Sequence, residues 1–94
     1  MQTWYDPRHT GALRVVDTRA REIHGTDPNE TLWTVSYRPV GERKIEVDFE
    51  NKRTHHGRRV LTAEYTERRN ALQWSDGNKW LRVRHSPKFL ERFF

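Results

Sequence analysis

The stretch Gln73-Trp74-Ser75-Asp76-Gly77-Asn78-Lys79-Trp80 sets two tryptophans around an Asp-Gly-Asn turn, and Arg82 and Arg84 follow at alternate positions. An indole beside two guanidinium groups is suited to nucleic acid, because every base offers a face for stacking and each phosphate matches a guanidinium fork. A second basic concentration spans residues 51–59, where Lys52, Arg53, Arg58 and Arg59 surround His55 and His56. A loop of that kind can follow a phosphate backbone without reading its bases. Arg68-Arg69 is a smaller version in another turn, and a meander could bring it to the same end.

Other chemistries find less support. There is no cysteine, no Gly-x-Ser-x-Gly, no phosphate loop and no HExxH. Asp6, His9, Asp48, Glu64 and Asp76 could cooperate in catalysis only if the fold gathered them. Asp48 and Glu64 fall on the charged faces of their strands, where cross-strand pairing with arginine explains them more simply. His55 and His56 are adjacent and would face opposite ways in a strand, so they do not form a metal pair even with His9 and Asp6 near by. No enzyme activity, no metal and no cofactor are expected.

Charge points the same way as the clusters. Eighteen Lys+Arg against thirteen Asp+Glu leave +5, and fourteen of the eighteen are arginine. A phosphate-bearing partner is the first expectation from such a balance. The plainer account is solubility, with arginines paired to the thirteen acids on strand surfaces.

The elements that must position these residues read as strands. Ile45, Val47 and Phe49 alternate with Lys44, Glu46, Asp48 and Glu50; Trp33, Val35 and Tyr37 alternate with Thr34, Ser36 and Arg38; Leu61, Ala63 and Tyr65 alternate with Thr62, Glu64 and Thr66. Leu13 and Val15 begin an earlier strand, Ile23 centres another, and Leu72 with Trp74 and Leu81 with Val83 flank the hairpin. Short turns rich in Gly, Pro, Asn and Asp separate the runs. The expected fold is a single all-β domain over residues 1–94, an antiparallel meander of about seven short strands forming a small barrel or half-barrel over 12–84. Residues 1–11 read as an extended arm, and residues 86–94 as a short helical tail capped by Ser86 with Pro87 in its first turn.

Two registers are open to the Asp76-Gly77 hairpin. A two-residue type I′ turn pairs Leu72 with Leu81 and turns Trp80 outward beside Arg82 and Arg84. A three-residue loop with Gly77 in a bulge turns Trp80 inward and sends Arg82 and Arg84 with it. Because buried guanidinium groups are costly without partners, the first register is expected, with Trp74 in the core and Trp80 at least partly exposed.

At the ends, Trp4 and Tyr5 in the arm and Phe93 and Phe94 in the tail are large side chains that must cover something, either the open barrel end or a partner. Three pieces, Trp4-Tyr5-Asp6-Pro7-Arg8-His9 with Gly11, Val47-Asp48-Phe49, and Trp74 to Trp80, resemble small, uncharacterised β-domain proteins of algae and large DNA viruses. Those carry DPRH-x-G and W-x-DGN-x-W around a similar strand series. The resemblance spans roughly residues 4–84, implies a β fold and brings no activity with it.

The functional expectation is a non-enzymatic basic β module that binds a polyanion, nucleic-acid backbone foremost. Its site would be Lys52, Arg53, Arg58, Arg59, Trp80, Arg82 and Arg84. The alternative is a small cement-like subunit docking into a larger assembly, viral on the resemblance, through Trp4, Tyr5, Phe93 and Phe94. An interior holding a small apolar or sugar ligand among Trp33, Tyr37, Tyr65 and Trp74 is a third reading. No apolar run reaches the length of a membrane span, so a soluble, intracellular or virion-borne protein with no membrane partner is expected.

Overall fold

The computed structural model describes residues 1–8, 12–26, 32–49 and 59–83. They form eight strands: β1 (Gln2–Tyr5), β2 (Leu13–Asp17), β3 (Glu22–Gly25), β4 (Trp33–Gly41), β5 (Lys44–Asp48), β6 (Val60–Thr66), β7 (Ala71–Trp74) and β8 (Lys79–Val83). Each strand pairs antiparallel with the next, and β8 pairs back onto β1, so the sheet closes into an up-and-down barrel. Such a path puts the connections after β1, β3, β5 and β7 at one end. The turns after β2, β4 and β6 fall at the other, with the start of β1. The first set is mostly long, spanning 6–12, 26–32, 49–59 and 75–78; the second is tight, at 18–21, 42–43 and 67–70.

The all-β meander is as expected, with two differences. The arm is a strand: Thr3 pairs with Val15 on one side and with Val83 on the other. That eighth strand turns a curled sheet into a closed barrel and leaves no edge to aggregate. Its four residues are too short and too polar to announce themselves by alternation, although Gln2 and Trp4 do face inward. The helix expected over 86–94 lies outside the described residues, which contain no helix and hence none long and apolar enough to cross a membrane.

The inward faces of β4, β5 and β6 are those the alternation indicates. Ile45 and Val47 are fully buried, and Leu61, Ala63, Tyr65 and Tyr37 nearly so. Pro39 cannot donate to a sheet ladder, and it sits where the β4–β5 register shifts, a bulge at the tight-turn end. Strand β2 faces the opposite way to expectation. Arg14 and Val16 point inward and Leu13 is 48% exposed. Leu13, Val15 and Val16 put apolar residues on both faces, so the pattern alone could not choose, and a one-residue slip exchanges the faces entirely.

The β7–β8 hairpin also departs from expectation. Its pairs are Leu72 with Trp80 and Gln73 with Lys79, so Ser75-Asp76-Gly77 is a three-residue loop and Trp80 turns inward. Gly77 has φ 91°, a conformation that favours glycine, and its N–H donates to the Trp74 carbonyl at 3.0 Å. The Asp76 carboxylate, nearly buried, accepts the Asn78 N–H at 3.0 Å, and the Ser75 hydroxyl accepts the Thr62 N–H at 3.1 Å. These bonds hold the longer loop. The cost weighed against it is also lower than expected, because the Arg82 guanidinium lies over the Trp4 ring, 5.6 Å from its centroid.

Candidate functional site: a basic rim and an aromatic collar

The structure does not bring the expected polyanion residues together. Lys52, Arg53, Arg58 and Arg84 lie outside the described residues, as do Phe93 and Phe94. Arg59 is exposed and grips Asp48 through two hydrogen bonds, at 2.7 and 3.2 Å, the cross-strand pairing that is the plain alternative to phosphate binding. Trp80 is a correction: it is 4% exposed and cannot serve as an outward stacking platform. Arg82 likewise turns inward, so no Trp-Arg stripe runs along the outside of β8. Arg68-Arg69 lies at the end opposite the 51–59 connection, because each strand reverses the chain.

Of the expected partner anchors, Trp4 is also corrected. It is completely buried, its indole N–H donates to Gln2 Oε1, and its ring meets Tyr65 edge-on at 6.2 Å. Tyr5 remains on the outer face, paired between Leu81 and Leu13. With Thr3, Val15 and Val83 these residues make an uncharged patch across β8, β1 and β2, unusual in a chain that is one-third charged.

What the fold does gather is arginine at the tight-turn end. Arg19 and Arg21 sit in the β2–β3 turn, Arg43 in the β4–β5 turn, and Arg68 and Arg69 in the β6–β7 turn, all exposed, against Glu42 and Glu67 in the same turns. Local chemistry shapes each turn. The Asp17 carboxylate accepts the N–H groups of Arg19 and Ala20 at 3.1 Å. Arg21 and Asn70 adopt left-handed backbone, φ 55° and 50°. Each turn is then bonded to the strand beyond its own hairpin: Tyr37 N–H of β4 donates to the Arg21 carbonyl, Tyr65 N–H of β6 to that of Arg43, and Arg82 N–H of β8 to that of Asn70. The backbone that carries the rim arginines is therefore held in place. Glycine would hold φ 55° with less strain than the arginine at position 21, a backbone cost of the sort found at functional sites. Arg43 reaches Glu67 at 3.1 Å and lies over the Tyr65 ring, joining two of the turns.

Tyr37 lies beneath this rim. Burial pushes its hydroxyl pKa above the ordinary value, while the charge of Arg21 pulls it down and Asp17 pushes it up. The folded chain therefore holds the phenolic proton more tightly than the unfolded chain. The associated stability is whole below about pH 10 and is lost as the pH climbs through the raised folded value. Urea midpoints measured across this alkaline range should fall more steeply for the native chain than for Tyr37→Phe. Parallel curves would show that Tyr37 is not the group responsible.

At the opposite end the interior is aromatic and polar together. Trp33 meets Phe49 at 6.3 Å, Phe49 meets Trp74 at 5.6 Å and Trp74 meets Trp80 at 4.6 Å. Arg14 closes the circuit, 5.6 Å from the Trp80 ring and 5.0 Å from the Trp33 ring. This buried guanidinium donates to the Thr26 carbonyl at 2.8 Å and to Asp6 at 3.3 Å. Asp6 also accepts the Arg8 N–H and an Asn78 side-chain N–H, so the Asp-Pro-Arg segment and the Asp-Gly-Asn hairpin meet on one carboxylate. Sequence reading missed Arg14. The only available signal was its place opposite Gly25, which follows from the register and not from residue order.

Fold and site define a closed eight-stranded up-and-down barrel with a basic rim at one end and an aromatic–guanidinium collar at the other. No protein-family model, no curated protein and no solved structure matches the chain.

Proposed function

We propose that this protein is a non-enzymatic β-barrel module that binds a polyanion, nucleic-acid backbone foremost, through the basic rim of its tight-turn end. One observation carries the reading: Arg19, Arg21, Arg43, Arg68 and Arg69 come from three separate turns, and each turn is hydrogen-bonded onto the strand beyond its own hairpin. Arginines carried on a held backbone lose less freedom on meeting phosphate than arginines on a mobile loop would. Contacts of this kind engage the backbone and leave base sequence unread.

Titration of a labelled, mixed-sequence single-stranded oligonucleotide at a series of salt concentrations tests the proposal. If about four phosphates are engaged, the logarithmic salt slope is near −3, and a fourfold rise in salt lowers affinity by roughly 50-fold. Replacing Arg68 and Arg69 together by alanine should flatten the slope by a little more than ~1, since each single-strand phosphate contact contributes about 0.7. Binding that ignores salt, or that is unchanged in the double variant, refutes the rim as the site. The runner-up, docking into a larger assembly, would instead use the uncharged face of β8, β1 and β2, and it calls for protein association that persists at high salt.

A further inference from the structure

We propose that the barrel interior also binds one small, neutral, flat aromatic molecule, entering at the long-connection end and seated on the inner face of β4 beside Trp33, Val35 and Phe49. The site is separate from the polyanion rim in place and in chemistry.

The first observation is an anomaly of burial. Val35 pairs with Ile23, and Tyr37, two residues further along, pairs with Val47. Directly opposed residues in an antiparallel pair share a face, so Trp33, Val35 and Tyr37 all point inward. Ile23 and Val47 have no exposed surface and Tyr37 is 6% exposed, yet Trp33 and Val35 remain only half-buried. Solvent thus reaches inside the wall from the start of β4 as far as Val35, and stops at Tyr37.

The second observation concerns how Trp33 is held. It pairs with Gly25, and any Cβ at that glycine would collide with the Trp33 indole. The indole therefore lies over the bare β3 backbone, with Arg14 5.0 Å from its ring centroid. Holding it there keeps a large side chain at the wall. An eight-stranded barrel is wide enough either for its own side chains or for one small ligand, and mouths of barrels are common binding sites.

The walls select the chemistry. Phe49 stands edge-on to Trp33 and connects it to Trp74, so the surface offered is aromatic. The neighbouring charges, Arg14 and Asp6, are bonded to each other, so neither sign of ligand charge is favoured. Trp74 is 3% exposed and its Nε1–H is out of reach of solvent, so it belongs to the packed wall behind Phe49.

Quinoline, flat, aromatic and neutral at pH 7, is a suitable probe. In 1H–15N spectra of the intact chain, titration should shift the Trp33 indole N–H signal saturably and leave that of Trp4 in place. Quinoline-2-carboxylate, which adds a negative charge, should bind more weakly. Val35→Phe, which fills the proposed space, should abolish the shifts while leaving the melting temperature equal or higher. Three outcomes overturn the proposal: no saturable shift up to the solubility limit, equal shifts in Val35→Phe, or a lowered melting temperature in that variant, which would mean that the interior beside β4 is already packed. Oligonucleotide affinity at the opposite end is unaffected by any of these results, so the two proposals fail independently.

Discussion

Replacing Trp80 by alanine will destabilise the barrel by roughly 3–5 kcal/mol, the range for removing a large aromatic from a packed interior. The indole is 4% exposed, opposite Leu72 and 4.6 Å from the Trp74 ring centroid, with Arg14 over its other contact. Truncation deletes those contacts and leaves a void that a closed barrel cannot collapse to fill, because eight paired strands hold its diameter. Leu81 next to it is 39% exposed, and Leu81→Ala should cost well under ~1 kcal/mol. Urea unfolding followed by tryptophan fluorescence measures both. The contrast between neighbours reports the hairpin register directly: if Leu81→Ala were the costly change and Trp80→Ala the mild one, the loop would be the two-residue turn and the indole would face solvent.

Replacing Arg14 by methionine should cost a similar amount, about 3–5 kcal/mol, although it removes a charge from a hydrophobic interior. The reason is the carboxylate left behind. Asp6 is 2% exposed and accepts a hydrogen bond from the Arg14 guanidinium at 3.3 Å. Without that counter-charge, its ionised form is held away from water and loses a charged donor, while the neutral N–H donors of Arg8 and Asn78 remain. Combining Arg14→Met with Asp6→Asn should recover a large part of the loss, since an amide can keep the acceptor role without a buried charge. A double-mutant cycle on the four chains, read from urea midpoints, should give a coupling of about 1–3 kcal/mol. Additive losses would mean that the two side chains do not interact, and would remove the ion pair from any account of the collar.

Much of the architecture was legible because burial and strand pairing impose period two on any strand with one wet face. Trp33–Tyr37, Lys44–Phe49 and Leu61–Thr66 each place charged or hydroxylated residues on one side and apolar ones on the other. For such segments only one orientation buries the apolar set. Gly77 likewise announces its turn, because few other residues adopt positive φ without strain.

Where both faces of a strand are plausible, residue order cannot choose. Leu13-Arg14-Val15-Val16 and Trp80-Leu81-Arg82-Val83 each offer one face that is wholly apolar and another that mixes apolar side chains with arginine. Hydrophobic counting selects the first, and the barrel uses the second in both cases. The arginine that looks costly there has its partners on other strands: Arg14 meets Asp6, Trp33 and Trp80, and Arg82 lies over Trp4. Those contacts exist only after β1 has closed the sheet, so their compensation is absent from any local pattern.

The alternating sequence by itself therefore determined that this chain is an all-β meander, which strand faces of its middle section are wet, and where the turns at 67–70 and 75–77 fall, though not the turn at 18–21. Tertiary structure alone decided that the barrel closes through β1, that Trp80 and two arginines point inward, and that exposed arginines from three distant turns share one rim. The physical reason is the range of the interactions. Alternation and turn chemistry act between residues a few positions apart, whereas ion pairing, ring packing and the gathering of charge at a barrel end depend on which strands become neighbours.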